Sequence, residues 1–236
     1  MTDDTNSTET SHISRLPDPA ALTSGEFNRS RRTRLKILDA GVAVLARDGY
    51  KKLSTTAVAK QADITRAAML YHFGSRSELI EAIIRHVTRR RIDMYTEAME
   101  DLPHDDGFLE RAVDIAWEQL QTPEFEAYTE LSLASRTDPE LRSVMEPALA
   151  AFDRARREAA LSLFPRYLSD NVEFDLRRDI VRFLLEGVAQ QDGITFNRDE
   201  RVGAMLRFLK HLIGTEEGIA LLRKVVAGAG QEGDAA

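Results

Sequence analysis

Between Leu53 and Leu79 the chain reads LSTTAVAKQADITRAAMLYHFGSRSEL, and its polar side chains are of the kinds that touch nucleic acid. Arg66 opens a short helical stretch, and a guanidinium there can donate two parallel hydrogen bonds to O6 and N7 of guanine. Ala67 and Ala68 follow; small side chains let a helix seat deeply in a groove and touch a thymine methyl. At the far end, Tyr71 and His72 both donate hydrogen bonds of the type that phosphate oxygens accept. Thr56 could do the same, or reach a base. Arg76 adds positive charge to the first turn of the next helix, whose free N–H groups already favour an anion. Upstream, Arg29, Arg31, Arg32 and Arg34 form a basic cluster. It reads equally as an arm that follows the nucleic-acid backbone and as a solvated helix end.

These residues need rigid elements to hold them. Helical periodicity predicts a first helix over Phe27–Arg47, with Leu38, Val42 and Leu45 on one face, supported by Leu35, and Gly49 as its stop. A second helix covers Thr56–Ala62, capped by Ser54 or Thr55, with Val58 and Ala62 facing inward. Asp63 and Ile64 make a tight turn in which Ile64 is the buried anchor. Thr65 caps a third helix, Arg66–His72, with Phe73 a core aromatic. Two short helices joined this way form a helix-turn-helix, which places its second helix in a major groove. A fourth helix starts at Ser75, where Ser75 and Glu78 have capping-box spacing, and runs to about Glu100. Arg89, Arg90 and Arg91 are expected on its exposed face. Further helices fit 106–121, 124–136, 139–164 (kinked at Pro147), 173–192, 198–213 and 216–227. No stretch alternates with the period of a strand, so the chain is read as all-α.

The charge is divided along the chain. The net charge is −7, yet residues 25–91 hold 15 Lys/Arg against 6 Asp/Glu, a net of +9. Residues 92–236 carry a net of −13. A basic segment on an acidic body suits one polyanion-binding module on a scaffold that avoids polyanions. The chain has no cysteine, which excludes disulfides, thiolate metal sites and cysteine nucleophiles. No apolar run approaches the length of a membrane span, and the polar, acidic N-terminus has no signal-peptide core. A cytoplasmic protein with no membrane partner is expected. No histidine lies in an HExxH pattern, and no Gly-rich phosphate loop or GxSxG elbow occurs. No catalytic residue, metal site or cofactor is therefore expected.

The segment TTAVAKQADITRAAMLYHFGSRSEL resembles the DNA-binding domain of the TetR family of transcriptional regulators. The resemblance lies in Tyr71-His72-Phe73, a basic residue three positions on, and then Glu78-Leu79. It implies a homodimer on a palindromic operator in double-stranded DNA, usually a repressor released by a small molecule. Carried over by position, Thr56, Thr65, Arg66, Ala67, Ala68 and Leu70 fall at base or near-base contacts, and Tyr71, His72 and Arg76 at phosphate contacts. The chain departs from the family at Asp63, where the turn usually has glycine. Aspartate tolerates a positive φ better than most residues but adds a negative charge near DNA.

The expected organisation is a disordered arm (1–24), the helix-turn-helix domain (25–74), a helical regulatory and dimerisation domain (75–227) and a flexible tail (228–236). Within the body, Met94, Tyr95, Trp117, Tyr128 and Met145 are candidate walls of a small-molecule pocket, since apolar clefts with a few polar groups hold ligands. Core packing is the alternative for each. Broad apolar stripes at Ile180, Phe183, Leu184 and Val188, and at Met205, Leu206 and Leu209, suit a four-helix dimer contact; burial within one subunit is the alternative. Two further functional readings stay open: a DNA-binding regulator with no small-molecule ligand, and an all-α enzyme or carrier.

Overall fold

The computed structural model describes residues 28–103, 105, 107–163, 171–191 and 196–232. The arm expected at 1–24 lies outside the described residues. Among those described there are ten α-helices and no strand. They are α1 (Asn28–Asp48), α2 (Thr55–Gln61), α3 (Arg66–His72), α4 (Arg76–Glu100), α5 (Phe108–Gln119), α6 (Pro123–Ser135), α7 (Pro139–Leu163), α8 (Asn171–Ala189), α9 (Arg198–Gly214) and α10 (Glu216–Glu232). A 3-10 turn at Tyr50–Lys52, which periodicity does not foresee, joins α1 to α2.

Local chemistry sets the boundaries. Ser54, not Thr55, caps α2, its hydroxyl accepting the Ala57 N–H at 3.1 Å. Pro139 and Pro123 each open a helix, where a missing N–H costs nothing. Pro147 sits inside α7 and does not end it. The C-terminal helix runs through Glu232, past the tail expected from 228 onward. Its glycines lower helix propensity by about 1 kcal/mol each, but no proline blocks the next turn.

The chain divides into two compact units. The first holds the described residues up to Asp93 together with Pro123–Ala159. The second holds Met94–Thr122 and the described residues from Ala160 onward. Both α4 and α7 contribute residues to each.

In the first unit α1 packs against α2 and α6, and α2 against α3. Ile37, Leu38, Val44 and Leu45 of α1, Val58 of α2, Met69 of α3 and Leu79 and Ile83 of α4 are buried. Complete burial of such a side chain contributes about 1.5–3 kcal/mol. Gly41 admits the side chain of Ile83, into which any Cβ there would run. Three polar residues of α4 are buried with this core. His86 Nε2 lies 2.8 Å from Asp39 Oδ1, and the Thr88 hydroxyl donates to the Ile84 carbonyl at 2.7 Å. The third is Arg91, which corrects the exposed position expected for it. Its guanidinium carbon lies 3.9 Å from the Tyr128 ring centroid, 4.3 Å from that of Phe152 and 5.4 Å from that of Phe125. Three ring faces supply the negative potential that replaces water around the charge. Arg90 does stay exposed, in an ion pair with Glu124.

In the second unit α5 packs on α8 and α9, and α10 on α8 and α9. Lys210 of α9 donates to Asp114 of α5 at 2.7 Å. The α9–α10 corner turns at Gly218, where a Cβ would fall on the main-chain carbonyl oxygens of His211 and Leu212.

Candidate nucleic-acid interface

The helix-turn-helix is built from caps and anchors at each end of α3. Thr65 caps its start, accepting the Ala68 N–H at 3.1 Å. Met69 faces inward and is wholly buried, and so is Phe73, which ends the helix in extended conformation. The turn before it is held by Ile64 N–H to Ala59 O at 3.0 Å. Asp63 takes φ 49°, the left-handed conformation that glycine adopts freely and aspartate tolerates. Ile64 is only half-buried, so the anchor expected there is supplied by Ala62 and Met69 on either side.

This anchoring sets which residues face outward. Thr65, Arg66, Ala67, Leu70 and Tyr71 are exposed, Tyr71 to 76%, while Ala68 and His72 are partly covered. The Tyr71 and His72 rings meet edge to face at 5.2 Å. Thr56 is exposed in the first turn of α2, and Arg29 and Arg32 are exposed at the start of α1. A helix of small side chains with one arginine at its start and a phenol at its end is shaped to enter a groove and span to its edge.

Arg34 separates from the basic cluster in which the sequence places it. Its guanidinium donates to the His72 carbonyl at 2.5 Å and lies 4.2 Å over the Phe73 ring. The last carbonyls of a helix lack internal partners and carry partial negative charge, so Arg34 seals the end of α3. No sequence signal announces this, because donor and acceptor are 38 residues apart.

Arg76 also does more than its position predicts. It remains exposed, but its Nε donates to the Leu53 carbonyl at 3.1 Å and its guanidinium carbon lies 5.2 Å from the Tyr50 ring centroid. The start of α4 beside it is capped by Ser75, which accepts the Glu78 N–H at 3.1 Å. The Glu78 carboxylate turns back to the Gly74 N–H at 2.9 Å, one residue earlier than a capping box requires.

The remaining candidates fall elsewhere. Tyr128 and Met145 are buried in the first unit, the Tyr128 ring 5.8 Å from that of Phe152. In the second unit Tyr95 is buried, whereas Met94 and Trp117 are partly exposed, with Arg198 5.8 Å over the Trp117 ring. None of these five lines the open cleft of about 50 Å³ in the first unit, formed by Tyr50, Arg76, Ser77, Ile80, Asp138, Glu140, Leu141 and Val144. On α8, Phe183 is 61% exposed, and Ile180, Leu184 and Val188 are partly covered. On α9, Met205 and Leu206 are partly covered and Leu209 is wholly buried. Phe208, Leu221 and Val225 are large apolar residues left exposed. Among the described residues no cluster of His, Asp and Glu could hold a metal ion, and no helix is long and apolar enough to cross a membrane.

Known proteins place this head. The sequence profile described as "Bacterial regulatory proteins, tetR family" matches residues 37–83. An uncharacterised HTH-type transcriptional regulator of Mycobacterium tuberculosis is 24% identical over 135 residues, which cover 57% of this chain and 69% of that protein. The crystal structure of a TetR-family regulator from Rhodococcus sp. matches with a TM-score of 0.58 at 20% identity, covering 78% of this chain and 100% of that one. The regulator FadR from Bacillus subtilis, solved in complex with stearoyl-CoA, matches with a TM-score of 0.54 at 14% identity, covering 74% and 96%. At these identities the two structures speak for the fold.

Proposed function

From the premise that this chain belongs to the TetR family of bacterial regulatory proteins, and is thus a transcriptional regulator with a helix-turn-helix DNA-binding head, we propose that it is a cytoplasmic homodimeric repressor. In this reading it occupies a palindromic operator and leaves it when a small molecule binds the helical body. The observation that carries the proposal is the outward face of α3. Arg66 is exposed at its start, Ala67 and Leu70 along it and Tyr71 at its end, on a helix fixed by the Thr65 cap and buried Met69. Arg66, Thr56, Thr65, Ala67, Ala68 and Leu70 read bases; Tyr71, His72, Arg76, Arg29 and Arg32 bind phosphates. The division of labour remains a helix-turn-helix head over 25–74 and a regulatory and dimerisation body over 75–227.

The dimer pairs α8 and α9 across a two-fold axis through Ile180, Phe183, Leu184, Val188, Met205 and Leu206. Exposed Phe208 joins them, and Leu209 supports the helix from inside. A four-helix contact of this kind is self-complementary, as a two-fold axis requires. Candidate ligand contacts are Met94, Tyr95 and Trp117 in the second unit and, separately, Tyr128 and Met145 in the first. The ligand prefers one orientation of α4, which changes the distance between the two recognition helices. Half-sites one helical turn apart, about 34–36 Å, tolerate little change in that distance. A relative of this fold holds stearoyl-CoA, which supports including acyl thioesters in a ligand screen.

The test is selection of bound fragments from sheared genomic DNA, followed by titration of the recovered duplex against random duplex. One recovered palindrome, bound more tightly than random DNA by at least about 10³-fold, supports the reading. Recovery of no common sequence would sink it. A thermal-shift screen against metabolites then checks the ligand: a compound that raises Tm must also weaken operator binding.

A further inference from the structure

The start of α7 is built into the edge of the DNA-binding head by a single carboxylate that does two things. Asp138 Oδ1 accepts the Leu141 N–H at 3.0 Å, which caps α7, and its Oδ2 accepts the Tyr50 hydroxyl at 3.0 Å. Burial, with Asp138 beside it, pushes the Tyr50 phenol up, so the hydroxyl keeps its proton and donates. The Asp138 carboxyl is held below its usual value, first by the Leu141 N–H, then by the Tyr50 hydroxyl, with the Arg76 charge adding to both. The Tyr50 backbone is fixed as well, its N–H donating to Glu130 of α6 at 3.2 Å. Glu140 of α7 accepts the Ser77 hydroxyl at 2.9 Å. Arg76 stands over the Tyr50 ring, tied to Leu53 O, and lines one cleft of about 50 Å³ with Asp138 and Glu140.

Resting on the reading of Arg76 as a phosphate contact, we propose that Asp138, through Tyr50, is a positioning residue that holds Arg76 back from DNA, so that the capping carboxylate of α7 and a DNA phosphate compete for one guanidinium. A phosphate that takes Arg76 must draw it from the Tyr50 face, the Leu53 carbonyl and the field of two carboxylates. The seam thus sets a ceiling on sequence-independent affinity without touching DNA. This is useful to a regulator that must let go of non-specific sites.

The experiment uses the full-length protein and a fluorescein-labelled 30-base-pair duplex of random sequence, followed by anisotropy at several salt concentrations. The proteins are the parent, Asp138→Asn, Tyr50→Phe, Arg76→Gln and the Asp138→Asn/Arg76→Gln pair. Asparagine still caps a helix, so Asp138→Asn removes the charge and keeps the cap. Tyr50→Phe keeps the ring under Arg76 and loses only the hydroxyl. Expected are tighter binding by Asp138→Asn, about two- to fivefold, and a change in the same direction for Tyr50→Phe. Arg76→Gln lowers the slope of log affinity against log salt by about 0.9, and in that background Asp138→Asn changes nothing. Equal tightening in both backgrounds means only a general loss of negative field and overturns the proposal; no change in either overturns it too. A parent with no salt-dependent binding removes the premise that Arg76 meets DNA, a different failure from either of these.

Discussion

Arg66 and Tyr71 share the exposed face of α3, yet their loss should be felt differently. With Arg66 reading a base as proposed, Arg66→Ala should cost about 1–3 kcal/mol at one operator position and relax the preference there. With Tyr71 on a phosphate as proposed, Tyr71→Phe should weaken all sequences alike, by about 0.5–1.5 kcal/mol. Titration against an operator and its single-base variants separates the two; equal losses on every sequence for Arg66→Ala would refute its role. Asp63 offers a second test. Its φ of 49° suits asparagine and glycine better than aspartate. Asp63→Asn keeps the turn and removes a charge near DNA, so tighter binding at low salt is expected, fading as salt rises. Asp63→Gly should add up to about 1 kcal/mol to unfolding stability. A loss of stability in Asp63→Gly, read by urea denaturation, would contradict the strain assigned to this turn.

At the scale of elements, local signals were legible and distant ones were not. The Arg66–His72 range of α3 follows from neighbours in sequence: a threonine cap, a small-residue face and Phe73. The 3-10 turn at Tyr50–Lys52 has no cap or period to announce it. The burial of Arg91 depends on Phe125, Tyr128 and Phe152, which belong to other helices, so charge alone pointed outward. The same holds for Arg34 and for Tyr50, whose partner Asp138 lies 88 residues on. The contact of α1 with α4 carries a testable pH dependence. His86, first by hydrogen bond and then by charge, with Arg90 adding its own, holds the Asp39 carboxyl below its usual value of 3.8. A depressed carboxyl stabilises the fold above its unfolded pKa, and that stability is lost as pH falls through the folded value. Asp39→Asn should therefore be less stable than the parent at pH 7, and the gap in urea midpoint should close below pH 3.8. A gap that persists undiminished there rules out the charge as its source.

For the whole molecule, the division of charge and the exposed aromatics point to two separate surfaces. The +9 of residues 25–91 draws DNA to the head, and the −13 of residues 92–236 keeps the body off it. The exposed rings of Phe183 and Phe208 need cover. In the dimer proposed above, Phe183→Glu with Phe208→Glu should leave a monomer in light scattering, with Tm unchanged beyond the loss of association and operator affinity falling steeply. A double variant that stays dimeric places the interface elsewhere. The buried polar residues of α4 limit how this regulator can move. Sliding α4 by one residue, about 1.5 Å, also turns its side chains through about 100°. That would drag His86 off Asp39 and pull the Arg91 guanidinium out from between three rings. A screw motion of this helix would break both contacts. Up to Asp93, α4 shares one compact unit with α1, α6 and α7 as far as Ala159. The unit that carries α3 is thus larger than a three-helix head. Hydrogen exchange should show the amides of α1, α4 and α6 opening together rather than one helix at a time.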